Sequence, residues 1–249
     1  MADRLRHGRP AGRRLTGAQQ KDTRRVAGIS DPVRFIRDNT VARPVPHAAE
    51  IRLQLADEAM ELWQKTEDEL GALGLPPPFW AFAWAGGQAL ARYLLDHPER
   101  VAGRSVLDFA AGSGIVGIAA KVAGARRVVA ADIDAFAIAA IGVNADLNGV
   151  EIETVLGDLT GAAPPDADLL VCGDVFYELP MSRKVLAWLD RALEQGIEVL
   201  VGDPGRSYLP KDRLAHLATY TVPVVGALED SETKKTSVYR LVVAHGAGA

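Results

Sequence analysis

From residue 105 onward the chain alternates between short apolar runs and longer amphipathic stretches. The apolar runs predict buried strands at 105–109, 127–132, 151–156, 167–173 and 197–201, each too short to be a helix. Apolar spacings of three and four predict helices from Ile115, over 135–147, over 181–193 and over 211–217. Strands that alternate with helices imply a parallel sheet covered on both faces. The last two expected strands, 219–225 and 237–243, have only a loop between them. They should pair as a hairpin, leaving the final strand antiparallel.

Upstream of residue 105 the pattern is less regular. Asp31 followed by Pro32 reads as the start of a short helix over 32–40, and Pro44 and Pro46 then interrupt the chain. Residues 50–55 alternate like a strand. Residues 57–70 carry Met60, Trp63 and Leu70 near helical spacing, with Trp63 read as core. Pro76, Pro77 and Pro78 lead into Phe79, Trp80, Phe82 and Trp84; Gly86 and Gly87 then open a helix over 88–96 that ends before Pro98. Trp84 reads either as a cofactor wall or as plain core.

Candidate chemistry concentrates in residues 105–120, SVLDFAAGSGIVGIAA. Gly112, Gly114 and Gly117 make a GxGxxG between a strand and a helix, a weak signal that dinucleotide-binding and S-adenosylmethionine-binding folds share. Asp108 separates the two. A carboxylate beside this turn would repel a pyrophosphate but suit a ligand carrying an amino group and a sulfonium. Asp132 ends the next strand 20 residues after Gly112, the place for an acidic residue gripping ribose hydroxyls; the plainer alternative is a cap for the helix at 135. Asp158 in a Gly-Asp pair is either a ligand contact or a turn residue bonding its own backbone. Gly173-Asp-Val-Phe-Tyr-Glu follows the fourth strand of the sheet. Ligands in open α/β sheets bind outside strand carboxyl ends, so Asp174, Tyr177 and Glu178 should line a cleft there.

Composition narrows the setting. A chain of 249 residues can bury a full core, and one α/β domain with an N-terminal extension is the simplest division. No apolar run is long enough to span a bilayer, so a soluble, cytoplasmic monomer is expected. Cys172 is the single cysteine and lies within an apolar strand, which excludes a disulfide inside the chain and suggests core filler. The five histidines lack metal-ligand spacing, so no metal is expected. Residues 1–27 hold eight Lys/Arg against two Asp and few apolar residues, which predicts a disordered tail. The remaining chain holds 20 bases against 30 acids. An acidic body disfavours a nucleic acid or membrane partner and suits a basic protein segment.

VLDxxxGxG, then DID, then the Gly-Asp at 158, then the strand ending in Asp174 together resemble the class I, seven-stranded S-adenosylmethionine-dependent methyltransferases. Ala110 departs from that family, which usually has glycine there. The resemblance implies a Rossmann-like, mostly parallel seven-stranded sheet with its last strand antiparallel. It also implies a methyltransferase domain over 86–249 behind an ancillary segment over 28–85. S-adenosylmethionine would be the cofactor, held by Trp84, Asp108, Gly112, Gly114, Asp132 and Asp158.

Val175 and Phe176 replace the prolines that nucleobase and glutamine methyltransferases carry after this aspartate. The Asp-x-x-Tyr form resembles the subgroup that methylates lysines of folded proteins. FIRDNT, EIRLQLADEA, WAFAWAGGQALARYLLDHPE, GDVFYE and GDPGR, spread over 35–206, are similar to the lysine methyltransferase family of the electron transfer flavoprotein β subunit. By that resemblance Asp174 and Tyr177 are catalytic, while Glu178, Asp203 and Arg206 shape the substrate opening. Arg206 could equally be a surface residue paired with Asp203. Competing functions are methylation of another protein such as a ribosomal protein, methylation of a small amine, and a scaffold that binds cofactor without catalysis.

Overall fold

The structure is a computed structural model that describes residues 31–56, 77–224 and 232–243. The expected tail, the helix at 57–70 and Trp63 lie outside these residues.

An N-terminal helix, α1 (Pro32–Asn39), is capped by Asp31, whose carboxylate accepts the Arg34 N–H at 3.0 Å. A hairpin follows, β1 (Val41–Val45) and β2 (Ala48–Leu55), then α2 (Ala85–Asp96). The main sheet and its helices run β3 (Ser105–Phe109), α3 (Ile115–Val122), β4 (Arg127–Asp132), α4 (Ala135–Leu147), β5 (Glu153–Leu156), β6 (Leu169–Gly173), α5 (Leu179–Glu194), β7 (Glu198–Asp203), β8 (Leu214–Pro223) and β9 (Thr233–Leu241). Among the described residues its seven strands are ordered β5-β4-β3-β6-β7-β9-β8. β3 through β7 are mutually parallel, and β9 lies antiparallel between β7 and β8.

Alternation along β3 shows how both faces are covered. Val106 packs in the cluster containing α2 and α3, whereas Leu107 and Phe109 pack with Val185, Trp188 and Leu189 of α5. Asp108 therefore points to the α3 face, under the helix it precedes. Cys172 is fully buried on the α5 side, where burial pushes its thiol pKa up, as befits core filler.

The hairpin is held by two amides one turn apart, Asn144 in α4 and Asn148 at its C-terminal cap. Asn144 Oδ1 accepts the Gln54 N–H at 2.8 Å, and Asn148 Oδ1 accepts the Arg52 N–H at 2.9 Å. Asn144 also donates to Ser113 O at 2.8 Å, so the hairpin and the glycine turn share one anchor. Gln88 joins three segments from inside α2: its amide accepts from His47 N and donates to Ala83 O and Pro223 O.

One element departs from its expected type. Residues 211–217 are not a helix: a single turn, Lys211–Arg213, leads straight into β8. The register of β8 against β9 shifts between His216 and Ala218. Leu214 and Leu217 pack on opposite faces of the sheet, as residues three apart in a strand do, and that three-residue interval is what mimics a helix in the sequence.

Candidate active site

Between β3 and α3 the backbone takes three left-handed steps: Ala110 at φ 54°, Gly112 at φ 51° and Gly114 at φ 79°. Glycine adopts this region freely and alanine does not, so the departure at Ala110 carries local strain. Asp108 lies beneath the turn, 1% exposed, with Oδ2 accepting the Gly117 N–H at 2.8 Å. A Cβ at Gly117 would stand 3.1 Å from that oxygen, which explains the third glycine. Burial pushes the Asp108 pKa up to about 8.

Asp132, at the end of β4, bridges two backbone groups. Its Oδ2 accepts from Gly112 N at 2.9 Å and its Oδ1 from Asp134 N at 3.0 Å; burial raises its pKa. The cap of α4 is Asp134, which accepts the Phe136 N–H at 2.8 Å, so the capping alternative for Asp132 does not hold. Ile133 between them is 69% exposed at the strand end, an apolar surface that the sequence reading missed.

Asp158, exposed after β5, accepts the Thr160 N–H at 2.9 Å and the Thr160 hydroxyl, and it pairs with Lys184 of α5. Lys184 first, then Thr160, hold its pKa down at about 2. The local turn is therefore present, with an added ion pair that no sequence spacing signalled.

The ends of β6 and β7 make the other half of the site. Asp174 is buried and itself left-handed, φ 57°, a conformation aspartate tolerates better than most residues. Its Oδ1 receives both Nε (3.2 Å) and Nη2 (2.8 Å) of Arg206, and its Oδ2 receives the Gly87 N–H at 3.1 Å in the first turn of α2. Burial raises the Asp174 pKa while Arg206 and the backbone of Gly87 and Gly86 oppose the rise.

This contact depends on small residues. A Cβ at Gly86 would fall 2.2 Å from Gly202 O and 2.6 Å from Asp174 Oδ2, and a Cβ at Gly173 would fall 2.8 Å from Gly87 N. The start of α2 thus rests on the backbone of β6 and β7.

Asp203 closes β7. Its Oδ1 accepts the N–H groups of Gly205 and Arg206, each at 2.7 Å, whereas its buried Oδ2 has no partner among the described residues. Burial pushes its pKa up to about 6. Asp203 thus binds Arg206 through the backbone, and the Arg206 side chain goes to Asp174. Trp84 precedes α2 with its indole N–H on Phe79 O at 2.9 Å, and the Arg206 guanidinium carbon lies 6.0 Å from its ring centre. Tyr177 is 46% exposed with its ring 6.0 Å from that of Phe79, and burial of its remainder raises its pKa. Glu178 is exposed at the N-cap position of α5 and makes no side-chain cap bond.

All the expected site residues lie along one edge, where the parallel strands end or where α2 begins beside them. Such an edge can hold a cofactor over β3 to β5 and an acceptor over β6 and β7.

Comparison with known proteins agrees with this geometry. Residues 89–175, from α2 to just past Asp174, match the family model described as ribosomal protein L11 methyltransferase (PrmA). The electron transfer flavoprotein beta subunit lysine methyltransferase of Rattus norvegicus is 38% identical over 196 residues, 76% of each chain. Its counterpart in Mus musculus is 35% identical over 225 residues, 87% of each. In Homo sapiens the figure is 37% over 188 residues, 73% of this chain and 70% of the relative. Among solved structures, a Pyrococcus horikoshii protein described as an RNA methyltransferase candidate superposes with a TM-score of 0.52 at 16% identity, covering 73% of this chain and all of that one. SMU.776, solved with S-adenosylhomocysteine, superposes at 0.50 and 13% identity, covering 78% of this chain and 53% of its own. With its strand order, its glycine turn and these relatives, the chain belongs to the electron transfer flavoprotein β-subunit lysine methyltransferases, a family of seven-stranded S-adenosylmethionine-dependent enzymes.

Proposed function

We propose that this protein-lysine methyltransferase acts on the electron transfer flavoprotein β subunit, a reading carried by 38% identity over 76% of the chain to a relative named for that activity. The residues fit the cofactor. The turn at Gly112 leaves room, since a Cβ there would meet only Phe79 O at 4.0 Å, and Ile133 presents an apolar surface beside Asp132. Gly112, Gly114 and Asp132 would hold the methionine and ribose parts, Asp158 the adenine edge, and Trp84 one wall. Asp108 would act through the turn it orders. When bound, S-adenosylmethionine supplies an electrophilic methyl on a sulfonium, and a neutral amine that takes it leaves S-adenosylhomocysteine and a methylated ammonium.

The chain's own contribution is placement. An aligned near-attack geometry lowers the barrier by several kcal/mol, about 7 to 11 in the best intramolecular cases. Tyr177 at the mouth and Asp174 behind it would orient the lysine, with Glu178 at the rim. An acidic body favours docking of a basic protein surface. Among the described residues no helix is long and apolar enough to cross a membrane. The single cysteine, buried and free, supports a reducing cytoplasmic setting. Residues 86–249 would be the catalytic domain and 28–85 its ancillary cover.

Methyl-labelled S-adenosylmethionine offered with purified electron transfer flavoprotein, ribosomal protein L11 and free amines tests the reading. Label on lysines of the β subunit alone is expected. Label on L11 would reassign the substrate to the protein named by the family model. Label on free amines would reassign its class, and no transfer to any of them would overturn the proposed substrate.

A further inference from the structure

The carboxylate at the end of β6 is already occupied. Asp174 Oδ1 takes two N–H groups of Arg206, and Oδ2 takes the first turn of α2, a helix of 12 residues. A helix N-terminus carries partial positive charge, so Asp174 is compensated from both sides. Arg206 is fixed from three directions: by the carboxylate, by the Trp84 ring at 6.0 Å, and by Asp203, which accepts the backbone N–H of Arg206 and of Gly205 (φ 92°). Trp84 in turn is pinned to Phe79 O. The guanidinium has little freedom to leave, and its charge cannot be lost at working pH.

Resting on the lysine-methyltransferase reading, we infer that Arg206 is a positioning residue that fixes the protonation state of the target lysine: its guanidinium cancels the pull of Asp174 on an ammonium, so the lysine enters the site as the neutral amine. A free lysine has a pKa of about 10.4 and its protonated form has no lone pair to give. An uncompensated buried carboxylate would hold that proton; a fixed cation beside it favours the neutral form. The proton passes from Nζ to solvent at the mouth, before methyl transfer.

Among the described residues the other charged or titratable groups along this edge are Asp203 beside Arg206, Tyr177 and Glu178 at the start of α5, Asp108 and Asp132 at the ends of β3 and β4, Asp134 at the start of α4, and Asp158 paired with Lys184 after β5. α2 contributes backbone N–H groups. Among the described residues only Arg206 supplies a fixed positive side chain in direct contact with Asp174.

The test is the pH profile of kcat/KM on purified electron transfer flavoprotein for the wild type, Arg206→Gln and Arg206→Lys, with S-adenosylhomocysteine calorimetry on each. Arg206→Gln should move the ascending limb about one pH unit upward, so that the rate falls about tenfold near pH 7.5 and recovers at high pH. Arg206→Lys should keep the limb where it is. Parallel loss at every pH would make Arg206 merely structural and overturn the inference while leaving the function intact. If Arg206→Gln does not fold, Arg206→Met, which also removes the charge, takes its place: an upward shift of the limb supports the inference and an unshifted one overturns it. If the wild type does not methylate the flavoprotein, the functional reading falls first and the inference falls with it.

Discussion

At the ends of β3, β4 and β5 each carboxylate accepts from backbone no more than 20 residues away in the chain: Asp108 from Gly117, Asp132 from Gly112 and Asp134, and Asp158 from Thr160, with Lys184 of α5 also paired to Asp158. At the ends of β6 and β7 the corresponding carboxylate, Asp174, reaches 87 residues back to Gly87 and 32 residues forward to Arg206. The first region is a motif, with geometry set within one strand-turn-helix unit and its neighbour. The second is an assembly that exists only when α2, β6 and β7 are packed together. Damage to the first should therefore appear in cofactor affinity. Damage to the second should appear in turnover or in folding.

The largest effect should come from Asp174→Asn, which keeps the size and one acceptor oxygen but removes the charge that Arg206 and the start of α2 share. Turnover on the protein substrate should fall about a thousandfold, equivalent to about 4 kcal/mol, with S-adenosylhomocysteine affinity changed only a few-fold. Steady-state kinetics and calorimetry on the same preparation separate the two. A loss confined to affinity would erase the distinction between the regions.

Gly86→Ala attacks the assembly through packing. Its Cβ would lie 2.2 Å from a backbone oxygen of Gly202, which cannot step aside as a flexible side chain could. A loss of about 3 kcal/mol is expected from thermal or denaturant unfolding. An unchanged melting temperature would show that α2 can lift off β7 without cost.

Asp132→Ala is the counterpart in the motif region. Removing the acceptor that Gly112 N uses, and that the proposed cofactor ribose would use, should weaken S-adenosylhomocysteine by about 1.5 to 3 kcal/mol. Turnover at saturating cofactor should stay close to that of the wild type. Equal losses in affinity and saturated turnover would contradict this.

The smallest effect belongs to Ala110→Gly. Relief of left-handed strain is worth about 1 to 2 kcal/mol, partly offset by the greater freedom of glycine in the unfolded chain. A net gain in stability of about 1 kcal/mol or less should appear in denaturant titration. A loss would mean that the Ala110 methyl is needed for packing.

The sequence by itself determined the alternation of strands and helices, the glycine turn with Asp108 and Asp132, and the cap at Asp31, because each rests on spacing within a few residues. It also determined the antiparallel end of the sheet, since no helix could be placed between the last two strands. It misread 211–217, because the interval from Leu214 to Leu217 copies helical spacing and only pairing with β9 distinguishes the two. Tertiary structure alone decided the partner of Arg206. The sequence places Arg206 three residues after Asp203, near enough to suggest a local ion pair. In the fold, Asp203 spends one oxygen on the Arg206 backbone, which turns the side chain toward Asp174. Tertiary structure also decided that Gly86 and Gly87 serve close approach rather than simply opening a helix. Contacts between backbones far apart in the chain leave no periodicity to read; they follow from which strands lie side by side and how closely a helix can cross them.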